Sequence, residues 1–283
     1  MTLATEDLEI VATAQRDGVA VVHNLLTGVE LAEARRDFDA AHLAAGKGTH
    51  TDPENAATRT GMSGDHLGLL PGLAQLYCHP RIVGIVSAIM GEQVPFLHEM
   101  KTNRYTAGHQ GVSPHSDNGA DFSMPWEKIA TMIFLDDIGV DSGALEYIPG
   151  SHLQHFLSKQ GVAPSDSPPP QPRGPEVNAA HAAGQFQPIS LSAGSVVFRV
   201  PAVWHAVRPI HRLRRYVTAR YYFSSPRPVA SEGLAAIQAA MEQRRSPAAK
   251  ALLGKLPQPL RRLCDPANVR VLSLKNRNKV SRL

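Results

Sequence analysis

Between residues 94 and 223 the sequence alternates short β-branched or aromatic segments with clusters of glycine, proline, aspartate and serine. Short strands that are separated by turn residues, with no helical pattern between them, predict an antiparallel sandwich or barrel such as a jelly roll. The predicted strands cover 94–104, 129–136, 144–148, 187–191, 195–200, 205–207 and 215–223. We therefore expect a mainly β fold with flanking helices.

The flanks of this region are predicted to be helical. A chain of 283 residues can bury a substantial core, and one domain with helical additions fits it better than two equal domains. We expect a single domain with three parts. These are a mainly helical part over 1–93 with a short β run at 19–22, a jelly-roll core over 94–224, and a helical extension with a basic tail over 225–283.

One insertion interrupts the predicted core. Residues 161–182 include the run Ser-Pro-Pro-Pro-Gln-Pro-Arg-Gly-Pro, which holds too much proline for a strand. Loops of this length are usually functional or disordered, so the insertion is either a lid over a site or a surface loop. We expect it to flank the mouth of a pocket together with the loop 118–127.

The composition is that of an ordinary globular protein, with 43% hydrophobic and 19% charged residues. Cys78 and Cys264 are too few for a disulfide framework, which favours a reducing compartment. The first residues lack the basic and apolar regions of a signal peptide. We expect a cytoplasmic protein that has no membrane partner.

The basic balance of the chain raises the question of a nucleic-acid partner. The sequence pI is about 9.2, but the net charge is only +4. Much of the excess lies near the C-terminus, where no aromatic residues interleave the basic ones as a stacking platform requires. The basic residues there are Arg270, Lys275, Arg277, Lys279 and Arg282. We read them as a solvated tail and expect no nucleic-acid partner.

A histidine and an aspartate lie one residue apart at His115 and Asp117. On a strand or its edge such side chains point to the same side, so both can bind one metal ion. His205, ninety residues later in the chain, would supply a third ligand. Two histidines and one carboxylate that leave three positions open are the ligand set of non-haem Fe(II) oxygenases.

The same tripeptide pattern occurs a second time, at His50 and Asp52. With 13 histidines in the chain, about half an H-x-D is expected by chance, so the pattern alone is weak. His50 lies in a Gly/Thr/Asn-rich loop between helical segments, whereas His115 lies in the strand-rich part that also contains His205. We therefore assign the metal to His115.

The order of motifs resembles that of the phytanoyl-CoA dioxygenase (PhyH-like) family of Fe(II)/2-oxoglutarate-dependent oxygenases. The most specific match is Gly143-Ala-Leu-Glu-Tyr-Ile-Pro-Gly-Ser-His152, and the resemblance covers about residues 94–224. It implies a double-stranded β-helix with the metal at one end of the barrel. In this resemblance His115, Asp117 and His205 match the iron ligands.

The resemblance also implies residues that bind 2-oxoglutarate. Arg214 matches the arginine that binds the far (C5) carboxylate, with Arg215 as the alternative because the connection after His205 is about two residues shorter than usual. Asn103 matches a position near the C1 end, and Thr131 is a weaker candidate for the C5 end.

Two departures from the family pattern bear on the co-substrate and the substrate. Val207 stands where the family often has a serine that contacts 2-oxoglutarate. The aromatic residue usually found soon after the H-x-D pattern is displaced, so the identity of the substrate is not carried over. The candidate substrate contacts in that loop are Asn118, Phe122 and Trp126.

The activity that the resemblance implies is hydroxylation of a small molecule with Fe(II), 2-oxoglutarate and O2, releasing succinate and CO2. A secondary metabolite, a modified amino acid or a lipid-like molecule would suit the family. Asp117 argues against halogenation, which needs a halide in place of the carboxylate. Two alternatives stay open: a non-catalytic 2-oxoglutarate or metal-binding module on the same fold, and an oxygenase that acts on a nucleic-acid base or a protein.

Overall fold

Two antiparallel β-sheets form the centre of the molecule, with helices before and after them. The computed structural model describes residues 3–45, 57–117, 127–153, 175–225, 228–229, 231–270 and 272–273. The helices in these ranges are α1 Thr5–Asp17, α2 Gly28–Ala45, α3 Pro71–Tyr77, α4 Pro80–Met90, α5 Pro175–Ala182, α6 Ser231–Arg245, α7 Pro247–Lys255 and α8 Gln258–Cys264.

The strands form a larger and a smaller sheet. They are β1 Val19–Val22, β2 Arg59–Ser63, β3 Phe96–Tyr105, β4 Val112–His115, β5 Lys128–Phe134, β6 Leu145–Tyr147, β7 Gln187–Ile189, β8 Val196–Arg199, β9 His205–Val207 and β10 Arg214–Tyr222, followed by the short β11 Pro228–Val229 and β12 Leu272–Ser273. The larger sheet has the order β1-β8-β5-β10-β3-β2, and the smaller sheet has the order β4-β9-β6-β7. The predicted fold class, a double-stranded β-helix with flanking helices, is confirmed.

Alternation along β10 separates the apolar core from the space between the sheets. Val217, Ala219 and Tyr221 point into the main hydrophobic core beneath the N-terminal and C-terminal helices. Tyr216 and Thr218 point the other way and line a cavity between the two sheets. Because neighbouring strand residues face opposite sides, the same alternation on β3 and β5 gives each strand one core face and one cavity face.

The N-terminal part contributes more to the larger sheet than its helical pattern predicts. β1 pairs with β8 at one edge, and β2 pairs with β3 at the other. β2 was not predicted, because Arg-Thr-Gly-Met-Ser carries no strand pattern of its own. Pairing with the long β3 supplies the hydrogen bonds that stabilise it.

Part of the proline-rich insertion is helical. Residues 175–182, predicted as loop, form α5, which begins at a proline and continues through helix-favouring alanines. Val177 and Ala180 are buried against Phe186 and Ala206. The remainder of the insertion and the loop 118–126 lie outside the described residues, so their place at the pocket mouth stays a prediction.

The stretch Pro71–Met90 is long and apolar enough, by length and composition, to cross a membrane. In the structure it is two helices, α3 and α4, that meet at residues 78–79. Many of their apolar side chains, among them Tyr77, Ile82 and Ile85, have no exposed surface and belong to the main core. The stretch therefore has a structural role in the packing of the domain.

Gly143 makes a close approach to a buried arginine. Its φ is +74°, and a Cβ atom there would lie 2.9 Å from Cδ of Arg214 and 3.1 Å from Cγ1 of Ile210. Any side chain at this position would therefore be strained in its backbone and would displace Arg214.

We predict that Gly143→Ala lowers the free energy of unfolding, because the methyl group strains the left-handed backbone and crowds Arg214. Gly184→Ala is the matched control, because Gly184 has a φ of +69° but no atom within 4 Å of its Cβ position. Left-handed strain costs each variant ~1 to 2 kcal/mol, and crowding should cost Gly143→Ala a further ~1 to 3 kcal/mol. Urea unfolding measures the difference; equal losses in the two variants would show that the contact with Arg214 is unimportant.

Candidate metal and co-substrate site

The pairing of β4 with β9 brings the two predicted metal-binding histidines together. His115 lies directly opposite His205 in this pair, and their ring centroids are 4.2 Å apart. Asp117 follows β4 by two residues. One ligand atom from each of the three side chains lies within 4.8 Å of the others, which is the separation needed to bind one ion.

Both histidines are oriented by backbone carbonyls. Nδ1 of His115 lies 2.8 Å from the carbonyl oxygen of Ser113, and Nδ1 of His205 lies 2.9 Å from that of Val203. A carbonyl can only accept, so the contact with Ser113 puts the proton of His115 on Nδ1 and leaves its Nε2 with a lone pair. The metal-binding tautomer of His205 also has its proton on Nδ1, donated to Val203, in which case Nη1 of Arg199, 3.1 Å away, does not donate to that nitrogen. This outer contact is the usual one for a metal-binding histidine, so the residues fit a divalent metal.

The charge state of the cluster also suits a metal. Burial would raise the pKa of Asp117, but Arg199 and the hydrogen bond with His115 outweigh it and hold that pKa well below its usual range. Burial, together with the charge of Arg199, lowers the pKa of His205 well below its usual value. An ionised aspartate and a neutral histidine are the forms that bind metal.

Arg199 is a residue of this site that the sequence analysis missed. Its Nη2 donates to Oδ2 of Asp117 at 2.5 Å, and its Nη1 lies 3.1 Å from Nδ1 of His205. The residue is 5% exposed and ends β8, after three fully buried apolar residues. A charge at the end of such a strand is costly unless it is paired, and that signal was available in the sequence.

A cavity of about 200 Å³ lies beside the metal ligands. The smaller sheet contributes Val112, Leu145 and Val207, and the cavity face of the larger sheet contributes mostly polar and charged side chains. The latter are Arg59, Lys101, Asn103, Tyr105, Arg199, Tyr216, Thr218 and Arg220. A larger cleft of about 760 Å³ lies between α4 and α8, but none of the metal-binding residues lines it.

Two of the predicted co-substrate residues lie on the cavity side of the larger sheet. Asn103 is 3% exposed and lines the cavity. Arg214 is 1% exposed and lies among three aromatic rings, those of Tyr105, Phe134 and Tyr216, with its guanidinium carbon 4.7 to 5.5 Å from their centroids. All three of its guanidinium nitrogens are buried and have no hydrogen-bond partner among the described residues.

The other two predicted co-substrate residues face away from the cavity. Arg215 forms ion pairs with Asp136 at 2.8 Å and Asp39 at 2.6 Å on the opposite face of β10. The hydroxyl of Thr131 donates to the carbonyl of Ala219 at 3.3 Å, within the sheet. Strand alternation excludes both from the cavity, so we remove them from the co-substrate set.

The remaining predicted residues lie outside the described ranges. They are the substrate candidates Asn118, Phe122 and Trp126, and the second H-x-D pair, His50 and Asp52. Their assignments stay predictions.

A His–Asp–His cluster at one end of a double-stranded β-helix is the arrangement of non-haem iron oxygenases. The family model for phytanoyl-CoA dioxygenase (PhyH) matches residues 14–211, which is more than half of the chain. The chain therefore belongs to this family, as predicted.

Similar proteins of known name are consistent with this membership. An ectoine dioxygenase from Nocardia farcinica is 31% identical over 168 residues, which cover 56% of this chain and 55% of that protein. The chain thus aligns with about half the length of this relative. Among solved structures, the carbocyclase SnoK of nogalamycin biosynthesis superposes with a TM-score of 0.62 at 18% identity. The superposition covers 79% of this chain and 85% of the SnoK chain.

A second solved structure, HygX from Streptomyces hygroscopicus with nickel and 2-oxoglutarate bound, superposes with a TM-score of 0.54 at 16% identity. The superposition covers 80% of this chain and 91% of HygX. At these identities the superpositions show a shared fold.

We predict that alanine at His115, Asp117 or His205 removes high-affinity binding of one Mn(II) or Co(II) ion. Each change removes one of the three protein ligands, and the two that remain cannot supply the missing metal–ligand bond. Calorimetric titration of the metal measures the loss. The matched controls are His50→Ala and Asp52→Ala, which should bind metal like the unchanged protein; loss of binding in these controls would move the site to the other H-x-D pair.

We predict that Arg199→Met weakens metal binding ~10- to 100-fold, because Asp117 loses the partner that orients its outer oxygen. Arg199→Lys should recover part of the affinity, since it restores one charged donor. Arg220→Met is the comparison, because Arg220 lies farther from the same oxygen, at 3.6 Å. An unchanged metal affinity in Arg199→Met would show that Asp117 is oriented without it.

Proposed function

We propose that this protein is a non-haem Fe(II)/2-oxoglutarate-dependent dioxygenase that hydroxylates a small molecule and releases succinate and CO2. The observation that carries the proposal is the cluster of His115, Asp117 and His205 at the wall of a cavity. The intact aspartate supports hydroxylation over halogenation. Fe(II) and 2-oxoglutarate supply the oxidising chemistry with O2, and the protein supplies position, charge and exclusion of water.

The protein residues divide the cavity into a metal end and a cationic end. His115, Asp117 and His205 would hold Fe(II), while Arg199 keeps the aspartate ionised and oriented. Beyond the metal end, the cavity is lined by Lys101 and Arg59, with Arg214 behind the wall. A dicarboxylate that binds the metal through one end would extend toward these positive charges with the other.

The size of the cavity favours a small substrate. A space of about 200 Å³ leaves little room beside 2-oxoglutarate for more than a small molecule or the tip of a larger one. The named relative, an ectoine dioxygenase, is called after a small molecule. We propose a small-molecule substrate for this chain on these grounds. The expectation that it has no nucleic-acid partner rests separately on its net charge of only +4 and on the lack of aromatic residues in the basic tail.

The proposal is tested by turnover of 2-oxoglutarate. The protein is loaded with Fe(II) under anaerobic conditions and exposed to O2, and the release of labelled CO2 from 1-labelled 2-oxoglutarate is followed with succinate formation. We expect slow release by the protein alone, none by Asp117→Ala, and faster release when a metabolite extract containing a substrate is added. Binding of 2-oxoglutarate without CO2 release under any of these conditions would instead indicate the non-catalytic binding module.

A further inference from the structure

Lys128 is a cationic residue of the larger sheet that belongs to neither the metal cluster nor the cationic end of the cavity. It begins β5 two residues before Ala130, which lines the cavity, so strand alternation places its half-buried side chain on the cavity face. Its ammonium lies 5.3 Å from the centroid of the Tyr222 ring, and no residue in the described ranges gives it an ion pair or a hydrogen bond.

A row of residues across three neighbouring strands marks the level of the metal ligands on the larger sheet. Arg199 of β8 pairs with Ala130 of β5, and Ala130 pairs with Arg220 of β10. A guanidinium nitrogen of Arg199 lies 2.5 Å from Oδ2 of Asp117, and one of Arg220 lies 3.6 Å from the same oxygen. The metal cluster therefore faces this row.

Lys128 lies beyond this row, on the side away from the cationic end of the cavity. On one side of Arg220 the next cavity-facing residues of β10 are Thr218 and Tyr216, which line the cavity. On the other side the next one is Tyr222, and Lys128 is paired with it. Two strand residues span ~7 Å, so the ammonium of Lys128 is within reach of a small molecule that approaches the metal from this side.

The carboxylates around Lys128 are already engaged with arginines. Asp117 and Glu99 both act on the charge of Lys128, but Asp117 pairs with Arg199, and Glu99 pairs with Arg220 at 3.0 Å. These two pairs leave the positive charge of Lys128 uncompensated. Partly buried charges without a partner are costly, which points to an anionic group that a ligand brings.

The protonation states of this cluster agree with that reading. The ring of His98 packs edge-on against Tyr222 with centroids 4.0 Å apart. Burial, together with the charge of Lys128, lowers the pKa of His98 well below its usual value, so the ring is neutral. Burial also lowers the pKa of Lys128 to about 8, with a further contribution from Arg220, so the ammonium is mostly protonated at neutral pH. A bound anion would stabilise this charged form.

We propose that the ammonium of Lys128 binds a carboxylate of the substrate, and that the protein selects small molecules that carry one such group. This rests on the proposed function, because it assumes that a substrate approaches the metal from the side opposite the co-substrate. One ammonium suits one negative charge, whereas a phosphate group would bring about 1.5 to 2. The ring of Tyr222 holds the ammonium in place and leaves its N–H groups free to donate to the carboxylate.

Comparison of acids with their amides isolates the contribution of the carboxylate. Calorimetry on the protein loaded with Mn(II) and 2-oxoglutarate would measure binding of small aliphatic, cyclic and N-acetylamino acids. Each acid is paired with its primary amide, which has the same shape and no charge. Under the proposal, an acid that binds is preferred over its amide roughly 10- to 100-fold.

Variants of Lys128 assign this preference to one side chain. Lys128→Met should remove the preference by weakening the acid while the amide and 2-oxoglutarate bind as before, and Lys128→Arg should retain part of it. Lys250→Met is the matched control, because Lys250 is an exposed lysine of α7. It should keep the full preference.

A second measurement uses the unchanged protein and is independent of how the variants fold. Trace acetylation with acetic anhydride, followed by mass spectrometry, reports the reactivity of each lysine amine. A saturating acid should protect Lys128, and its amide should not. The exposed Lys250 and Lys255 serve as internal references whose reactivity should stay the same.

Equal binding of acids and amides by the unchanged protein would overturn the proposal. A preference that persists in Lys128→Met, or an acid that leaves the reactivity of Lys128 unchanged, would overturn it as well. Loss of 2-oxoglutarate binding in Lys128→Met with the acid preference intact would place Lys128 at the co-substrate instead. Failure of the unchanged Mn(II)-loaded protein to bind 2-oxoglutarate at all would contradict the proposed function, whatever the acids do.

Discussion

The two-residue alternation along β3, β5 and β10 is the constraint on which the rest of the structure depends. One face of each strand packs against the helices, and the other faces the space between the sheets. A shift of one residue in β3 or β10 would exchange apolar core residues for lysine or arginine. The apolar core and the polar cavity therefore require the same strand register. Burial of the core residues stabilises that register, and the register in turn places the charged residues in the cavity.

The buried charges show how the cavity differs from its surroundings. Arg199 and Arg220 are compensated by Asp117 and Glu99, so the metal end is balanced before any ligand binds. The far end keeps Lys101 and its neighbours without an anionic partner among the described residues. Structural ion pairs account for the first group, whereas a ligand with its own negative charge, such as the proposed co-substrate, would balance the second.

The segment 143–152, the most specific family motif in the chain, makes contacts with parts of the fold that are distant in sequence. Gly143 leaves room for Arg214, and Ser151 accepts a hydrogen bond through its Oγ from the backbone N–H of Trp204 at 2.9 Å. The ring of His152 lies 3.0 Å, through Nε2, from the carbonyl of Gln15 in α1. The motif thus ties the N-terminal helix to the strand that begins at His205, which gives a physical reason for its specific residues.

The sequence by itself determined the fold class, the seven predicted strands of the core and the family. Each of these depends on local pattern: β-branched segments, turn residues and motifs of fixed spacing. It also identified His115, Asp117 and His205 as a possible cluster, because a carboxylate two residues from a histidine on a strand edge is a local feature. The strands β2 and β4 and the helix α5 were not predicted, since pairing with β3, pairing with β9 and burial of Val177 and Ala180 are contacts between distant residues.

Only the tertiary structure decided which charged residues share the cavity. Arg214 and Arg215 are adjacent and chemically identical, and only the register of β10 turns one toward the cavity and the other toward Asp136. Arg199 meets Asp117 across 82 residues of chain, and Lys101 lies opposite Thr218 because β3 pairs with β10. Such contacts between residues distant in sequence depend on which strands pair and in which register. Strand pairing is set by the packing of the whole domain.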